Sequence, residues 1–213
     1  MKTLMRLLVV IIALTTTFES FAQIKFGVKG GLNYANMLDK NNNRTYSDDY
    51  QAKIGFNLGV TAEYSISEKF AIEPGLLFST KGYKLENSGI TGSVNLNYLE
   101  VPINAIYKIE FSNAKILIIA GPYLGYAVSG KMKASEPVLG VNEDSKEQKV
   151  VIGTDIKPLD FGLNIGAGVE IKDITVSLQY GYGLANLSIH SESETELKNR
   201  VLGISIGYKF GGK

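Results

Sequence analysis

The sequence predicts an all-β protein, an eight-stranded antiparallel up-and-down transmembrane β-barrel with short periplasmic turns and longer extracellular loops. Three observations carry this prediction. Eight segments alternate apolar residues with polar or glycine residues, their connections alternate between short and long, and a leader typical of exported proteins precedes them. Successive strand side chains point to opposite faces, so each segment has one apolar face and one small or polar face. This pattern is typical of membrane barrels.

Residues 1–22 are predicted to be a cleaved signal peptide. Lys2 and Arg6 give a positive start, an apolar run of eight residues begins at Leu7, and small residues end the segment. A run of eight is far short of the ~20 apolar residues that a spanning helix needs. The remainder, 23–213, is predicted to be one outer-membrane β-barrel domain.

The composition excludes several classes of protein. The chain has 22 basic and 21 acidic residues, and removing Lys2, Arg6 and Glu19 with the leader leaves 20 of each. A neutral chain with no local basic cluster is not expected to bind nucleic acid. No second long apolar run follows the leader, which excludes a helical membrane protein. The chain has no cysteine, so no disulfide framework supports the fold.

The first four strands are predicted from apolar residues that recur at every second position. They are 24–37 with Phe26, Val28, Leu32 and Tyr34, 53–66 with Ile54, Phe56, Leu58, Val60, Ala62 and Tyr64, 70–84 with Phe70, Ile72, Leu76 and Phe78, and 95–109 with Leu99, Val101, Ile103, Ala105, Tyr107 and Ile109.

The last four strands follow the same rule. They are 115–131 with Ile116, Ile118, Ala120, Leu124, Tyr126 and Val128, 159–171 with Phe161, Leu163, Ile165, Ala167, Val169 and Ile171, 174–187 with Val176, Leu178, Tyr180 and Tyr182, and 199–210 with Leu202, Ile204, Ile206, Tyr208 and Phe210.

The connections and the aromatic residues give two further indications. Short links alternate with long polar ones at 38–52, 85–94, 132–158 and 188–198, as expected when long loops lie outside the cell. Aromatic residues on the apolar parity then fall into two rows, as membrane interfaces require. The row near the short turns is Phe26, Tyr64, Phe70, Tyr107, Tyr208 and Phe210, and the row near the long loops is Tyr34, Phe56, Phe78, Tyr126, Phe161 and Tyr182.

Three prolines fall inside predicted strands. Pro74, Pro102 and Pro122 each remove a ladder hydrogen bond, and a closed barrel has no free edge to place them on. Bulges or local bends are therefore expected at these positions.

Four segments carry a family resemblance: 26–33, 72–76, 98–103 and 121–125, which read FGVKGGLN, IEPGL, YLEVPI and GPYLG. With these segments the chain resembles the porin-like outer-membrane β-barrel domain family, often labelled PorT-type, over essentially the whole mature length. The resemblance implies an eight-stranded barrel in the outer membrane of a Gram-negative bacterium and no single biochemical activity. Barrels of this kind commonly end on an aromatic residue that the assembly machinery recognises. Phe210 is expected to serve as that signal, although three residues follow it.

The barrel interior is predicted to hold a charge network. Eight strands enclose a space that side chains just fill, so acids and bases on the inward parity are expected to pair and plug the lumen. A conducting or proton-relay path is the alternative. The candidate residues of this structural network are Lys29, Lys53, Glu63, Glu73, Lys81, Glu100, Lys108, Glu170 and Lys209.

No catalytic, cofactor-binding or metal-binding residue is predicted. His190 is the single histidine and lies in a polar loop, whereas nucleophilic or acid–base catalysis usually needs a histidine with a positioned partner. The acidic pairs at 48–49 and 143–144 lack the spacing of a calcium loop. The glycine-rich segments lack the following helix that a phosphate cradle needs. We therefore expect neither an enzyme nor a bound cofactor.

Several functions remain open from the sequence. A structural or surface-interaction role is the leading one, with outer-membrane lipid and the assembly machinery as partners and the charged loop 132–158 as a possible binding site for a surface partner. A narrow channel or a secretion-associated barrel is one alternative. Another is a soluble periplasmic lipocalin-like barrel, which turns its apolar face inward around a ligand.

Overall fold

The computed structural model describes residues 24–41, 44–45, 50–87, 90–135, 146–189 and 195–211, which form ten β-strands. Their bounds are β1 Ile24–Asn41, β2 Arg44–Thr45, β3 Tyr50–Ser65, β4 Phe70–Asn87, β5 Ile90–Phe111, β6 Ala114–Ser135, β7 Lys146–Val150, β8 Leu159–Ile171, β9 Ile174–Gly183 and β10 Glu196–Phe210.

Eight of these strands form a closed antiparallel ring. Each ring strand pairs with its neighbours in chain order, while β2 and β7 attach outside the ring to β1 and β6. Strand β10 pairs with β1 from Phe26 opposite Phe210 to Lys40 opposite Glu196, which closes the ring. A closed ring leaves no unpaired strand edge in contact with lipid. The predicted eight-stranded antiparallel barrel is confirmed. No helix in the described part of the chain is long and apolar enough to cross a membrane.

The apolar parity of the ring strands faces outward. Leu58, Ile165 and Ile206 are 61 %, 63 % and 62 % exposed although they lie in the middle of their strands. A soluble barrel would bury these side chains, because exposed apolar surface of this extent is unfavourable in water. The lipocalin-like alternative is therefore wrong, and the exposed face is a belt that contacts lipid.

The aromatic residues bound this belt in two rows. At the edge near the short turns the rings of Phe70 and Tyr107 lie 4.8 Å apart, and at the other edge the rings of Phe56 and Phe78 lie 5.9 Å apart. Aromatic side chains are typical of both membrane–water interfaces, where the ring contacts lipid and its edge reaches water. Residues that lie farther from the short turns than the Phe56 and Phe78 row are therefore on the side of the membrane that carries the long connections.

Two tight turns close the short-connection side. Phe111 pairs with Ala114 and Ile171 with Ile174, which leaves two residues in each turn. The first turn residues, Ser112 and Lys172, both have a φ of 54°. Two-residue hairpins need positive φ at this position to match the twist of the strands.

Strands replace part of the predicted long connections. The link predicted at 85–94 is wrong, because β4 and β5 stay paired up to Asn87 opposite Ile90. Strands β5 and β6 have 22 residues each, whereas about 9–11 tilted residues cross the hydrocarbon. Polar residues can continue these strands because the backbone ladder is satisfied beyond the lipid as well as within it. The sheet therefore extends past the outer aromatic row.

The three prolines interrupt the ladder without shifting its register. Pairing between β4 and β5 passes from Pro74 opposite Ile103 to Leu77 opposite Glu100 in one register, and β5 and β6 keep their register across Pro102 and Pro122. The register shifts lie elsewhere, after Ala52 and after Asn97. The expected bulges at the prolines are therefore wrong, because a missing donor removes a bond but inserts no residue.

Gly121 provides a test of this region. A Cβ at Gly121 would overlap the carbonyl oxygen of Ile103 on the neighbouring strand, whereas a Cβ at Gly207 would lie 3.5 Å from Val28 O. We expect Gly121→Ala to lower the free energy of unfolding by about 1–3 kcal/mol through overpacking. Gly207→Ala should be neutral or slightly stabilising. Urea unfolding in vesicles measures the free energy of unfolding of both variants. Equal changes in the two variants would contradict the close approach of β5 and β6.

Candidate functional site in the barrel interior

The candidate site is the set of charged residues on the inward parity. The structure places Lys29 half-buried beside internal cavities and Lys53 half-buried near the outer rim. The other seven predicted residues are inside the barrel and at most 8 % exposed: Glu63, Glu73, Lys81, Glu100, Lys108, Glu170 and Lys209. Burial of so many charges requires that they be paired or hydrogen-bonded.

Four of these residues form a periplasmic cluster, which we define as Glu63, Lys108, Glu170 and Lys209. The Glu63 carboxylate accepts hydrogen bonds from Lys108 Nζ and from Lys209 Nζ, the latter at 2.5 Å. Lys209 Nζ also lies 2.5 Å from Glu170 Oε2. Two acids and two bases balance, so the cluster buries four charges with no net charge.

An outer cluster lies nearer the extracellular end and consists of Lys81, Glu100 and Asp160 with two tyrosines. Lys81 Nζ lies 2.6 Å from Glu100 Oε2 and 3.2 Å from Asp160 Oδ2. The same ammonium lies 4.3 Å from the centre of the Tyr123 ring and 5.1 Å from that of Tyr98. The two carboxylates and the ring faces together stabilise the buried cation.

Sequence reasoning missed part of the outer cluster. Asp160 is fully buried, and its Oδ2 accepts hydrogen bonds from Tyr123 Oη at 3.2 Å and from Asn199 Nδ2 at 2.8 Å. Asp160 shares its inward parity with Glu170, so alternation could have identified it. The contact with Lys81 could not have been identified, because these residues are 79 positions apart and on strands that are not neighbours in the ring.

Polar side chains lie between the two clusters in the middle of the lumen. Lys29 Nζ donates to Gln179 Oε1 at 3.1 Å. Asn57 Nδ2 donates to Asn33 Oδ1 at 2.8 Å, and Ser205 Oγ donates to Asn57 Oδ1 at 3.2 Å. These bonds join β1, β3 and β10, and β1 to β9, through the interior rather than along the ladder. The network therefore couples strands that are second neighbours in the ring, such as β1 with β9 and β3 with β10.

The outer end of the lumen is lined by apolar side chains around a cavity of about 280 Å³. Strand β9 ends at Gly183, but the chain stays hydrogen-bonded to β8 and β10, with Leu187 fully buried on the inward parity and Lys157 N donating to Leu187 O at 2.9 Å. The predicted strand 174–187 is therefore four residues too long. We call the resulting cluster the apolar cap, and its buried members are Met37, Leu96, Tyr98, Ala127, Ile156, Ala185 and Leu187.

Lys53 does not join the lumen network. Its pairing with β1 places Lys53 opposite the buried Ala35, while the register between β3 and β4 shifts between Ala52 and Asn57. The charges that act on Lys53 are those of Lys84 and Lys133 near the outer rim. Alternation gives the parity of Lys53 but not its distance from the two clusters.

Two other candidates have definite places. Phe210 lies opposite Phe26 and is 48 % exposed on the lipid-facing side, and its role as an assembly signal stays a prediction. Within the described part of the chain, no group of three or more His, Asp and Glu residues is placed to hold a metal ion. The predicted signal peptide 1–22, His190 and residues 136–145 of the loop 132–158 lie outside the described residues.

Comparison with known proteins gives the following matches. A family model described as outer membrane protein beta-barrel domain matches residues 21–188. Among solved structures, Ail of Yersinia pestis, in complex with the heparin analogue sucrose octasulfate, is 16 % identical, with 88 % of this chain and 99 % of Ail covered at a TM-score of 0.42. OprG of Pseudomonas aeruginosa is 11 % identical, with 88 % and 96 % covered at a TM-score of 0.45. No curated protein matches the chain.

The family match, the closed ring and the outward apolar belt agree. The matched region begins just before β1 and includes seven of the eight ring strands, so it spans most of the chain. A closed barrel with an apolar outer face is a structure that spans a membrane. The chain belongs to the outer membrane protein beta-barrel domain family and is a β-barrel of the bacterial outer membrane.

Proposed function

We propose that this protein is a closed outer-membrane barrel with a structural or surface-interaction role, and that it is neither a general diffusion pore nor an enzyme. The observation that supports the proposal is the set of charged, polar and apolar side chains that lie inside the barrel. The periplasmic cluster, the mid-lumen hydrogen bonds and the apolar cap follow one another along the axis. Side chains of this size fill an eight-stranded barrel.

The space left inside the barrel supports this proposal. A cavity of about 50 Å³ in the middle of the lumen is lined by Lys29, Asn33 and Gln179 among others. A cavity of about 20 Å³ lies toward the periplasmic end, beside Glu73 and Lys209. These two volumes hold about one to four water molecules each, which is too little for a solvated ion path. A third cavity, of about 280 Å³, lies at the outer end and is lined in part by Met37, Leu96 and Ile156 of the apolar cap.

The outer end of the protein supports the surface-interaction part. Strands β4, β5 and β6 continue beyond the outer aromatic row, and β7 adds a further strand to β6 there. Rigid extensions of this kind hold loops in place for recognition. A surface partner at the loop 132–158, recognition by the assembly machinery through Phe210, and membership of the PorT-type subgroup are parts of this proposal that rest on the sequence.

Planar-bilayer recording tests the closed lumen. We expect the purified, refolded protein to give no steady conductance above the bare membrane, while a general porin in the same chamber gives open channels. Heat-dependent gel migration of the recovered protein shows that folded barrels are present. Large and stable conductance steps from the refolded protein would overturn the proposal in favour of the narrow-channel alternative.

A further inference from the structure

The inward face of the sheet becomes apolar beyond the outer aromatic row. Within the membrane this face carries the charged residues of the two clusters, such as Lys81 and Glu100. Farther out, Tyr83 lies opposite Val94 and Val94 lies opposite Met132, all on the inward parity of β4, β5 and β6. Directly opposed residues share a face of the sheet. The barrel therefore presents an apolar inner surface at its extracellular end, where no lipid covers it.

The cavity of about 280 Å³ at the outer end lies against this apolar surface. Its most buried lining residues are Met37 and Leu96 of the apolar cap, which are at most 1 % exposed. Met132 also lines the cavity and is 42 % exposed, so the cavity opens to water at the extracellular end. Apolar surface that is exposed to water beside a cavity of this size is typical of a ligand-binding site.

The polar groups that line the cavity favour an uncharged ligand. Gln148 on β7 lies opposite Met132 and shares its inward parity, so it brings a neutral amide to the opening. The Asp155 carboxylate is engaged in its own turn, where Oδ2 accepts a hydrogen bond from Val151 N at 2.7 Å. Lys149 has the opposite parity to Gln148, which directs its ammonium to the outward face. A charged ligand would be buried without a partner, and such burial is unfavourable.

The aromatic side of the cavity is held in place by contacts outside it. Tyr83 lines the cavity, and its ring is stacked on that of Tyr50 with centres 4.1 Å apart and planes at 12°. Tyr50 Oη in turn donates to Asp39 Oδ2 at 2.6 Å. Residues of β1, β3 and β4 thus fix the ring before a ligand arrives. Such pre-organisation reduces the entropy that is lost on binding.

The cavity is separated from the rest of the lumen. It shares no described lining residue with the cavity in the middle of the barrel. Between the two lies the fully buried Tyr98, whose ring centre is 5.1 Å from Lys81 Nζ and whose Oη accepts a hydrogen bond from Asn199 Nδ2 at 3.3 Å. A ligand would therefore enter and leave from the extracellular side, which makes the cavity a binding site rather than part of a transport path.

We propose that this cavity binds a small, uncharged and mainly apolar molecule from outside the cell, with Gln148 hydrogen-bonded to a polar group at one end of the ligand. An apolar cavity of about 150 Å³ binds benzene. A cavity of about 280 Å³ therefore has room for two fused rings or for an aliphatic chain of similar volume. The assignment goes beyond the proposed function and is independent of whether the lumen conducts.

Equilibrium dialysis of radiolabelled 2-naphthylmethanol against the refolded protein in lipid nanodiscs tests the proposal. This probe is uncharged and combines two fused rings with one hydroxyl group. Protein-free nanodiscs measure the partitioning of the probe into lipid, which does not saturate and is subtracted. We expect saturable binding of one molecule per barrel with a Kd of about 10–100 µM, as is usual for a ligand of this size.

Variants that fill the cavity locate the binding site. Val94 and Val150 both line the cavity, so we expect Val94→Phe and Val150→Phe each to raise the Kd at least about tenfold by occupying its volume. Val60→Phe is the matched control, because Val60 is 54 % exposed in the lipid-facing belt, and it should change the Kd less than about twofold. Heat-dependent gel migration checks that each variant is folded. No saturable binding, or equal effects of the cavity and control variants, would overturn the proposal.

Two related ligands test the chemistry of the site. Gln148→Leu should raise the Kd for 2-naphthylmethanol about fivefold through loss of one hydrogen bond, and should leave binding of 2-methylnaphthalene, which has no hydroxyl group, unchanged. The anion 2-naphthoate should bind at least about tenfold more weakly than the alcohol. Equal effects of Gln148→Leu on both neutral ligands would overturn the assigned hydrogen bond. Tighter binding of 2-naphthoate would overturn the assignment of an uncharged ligand.

Discussion

Leu178→Arg is expected to lower the free energy of unfolding by about 2–4 kcal/mol, because a lipid-facing arginine near the bilayer midplane has to leave water. Leu178 lies in the middle of β9 and is 51 % exposed on the outward face. Reversible urea unfolding of the protein in vesicles measures the change. The effect depends on lipid outside the barrel, so it tests the orientation of the strands directly.

Leu184→Arg is the matched control. Leu184 follows the same strand, continues its outward parity and is 43 % exposed, but it lies beyond Tyr182 of the outer aromatic row. An arginine at the membrane interface should lower the free energy of unfolding by about 0–1 kcal/mol. Gln179 is a poor control because it points inward and accepts a hydrogen bond from Lys29, so an arginine there meets a like charge. Equal losses at Leu178 and Leu184 would contradict the lipid-facing belt.

Glu63→Gln is expected to lower the free energy of unfolding by about 3–5 kcal/mol, because it leaves buried ammonium groups without compensation. Glu63 is 1 % exposed and accepts from both Lys108 and Lys209. In the variant, Lys108 loses its ion pair with Glu63, and Lys209 keeps its ion pair with Glu170. Urea unfolding in vesicles at neutral pH measures the loss.

A charge-balanced double variant distinguishes the effect of losing an ion pair from the effect of changing side-chain packing. Glu63→Gln with Lys108→Gln removes one charge of each sign and leaves Lys209 paired with Glu170. The double variant should be more stable than Glu63→Gln alone, because its remaining buried charges are paired. A double variant that is less stable than either single one would contradict the periplasmic cluster as a unit held by charge balance.

Alternation identified most of the wall of the barrel. The predicted segments overlap all eight ring strands, and the parity of Leu58 and Ile206 gave their direction, because a strand in lipid must keep one face continuously apolar. Parity also placed seven charged residues inside. It did not report that Lys53 lies near the outer rim, away from the two clusters, or that the strand predicted to reach residue 187 ends at Gly183.

Which residues contact one another inside the barrel and on its surface depends on how the strands pair and how the ring closes. Lys81 meets Asp160 because the ring closes, since β4 and β8 are not neighbours along the ring. The row formed by Lys84, Ser93 and Lys133 has the same origin, because β4, β5 and β6 bring these residues together only through register. Alternation of apolar and polar residues along a strand indicates which face of the sheet a residue occupies, but not which residue on the next strand lies opposite it.

The sequence by itself determined that this chain forms an exported barrel wall with an apolar outside and a charged inside, because the membrane imposes one repeated requirement on every strand. Only the tertiary structure decided which side chains meet in the interior and where the strands continue beyond the lipid. These features depend on contacts between residues far apart in the chain, which are set by closure of the ring and by the register shifts.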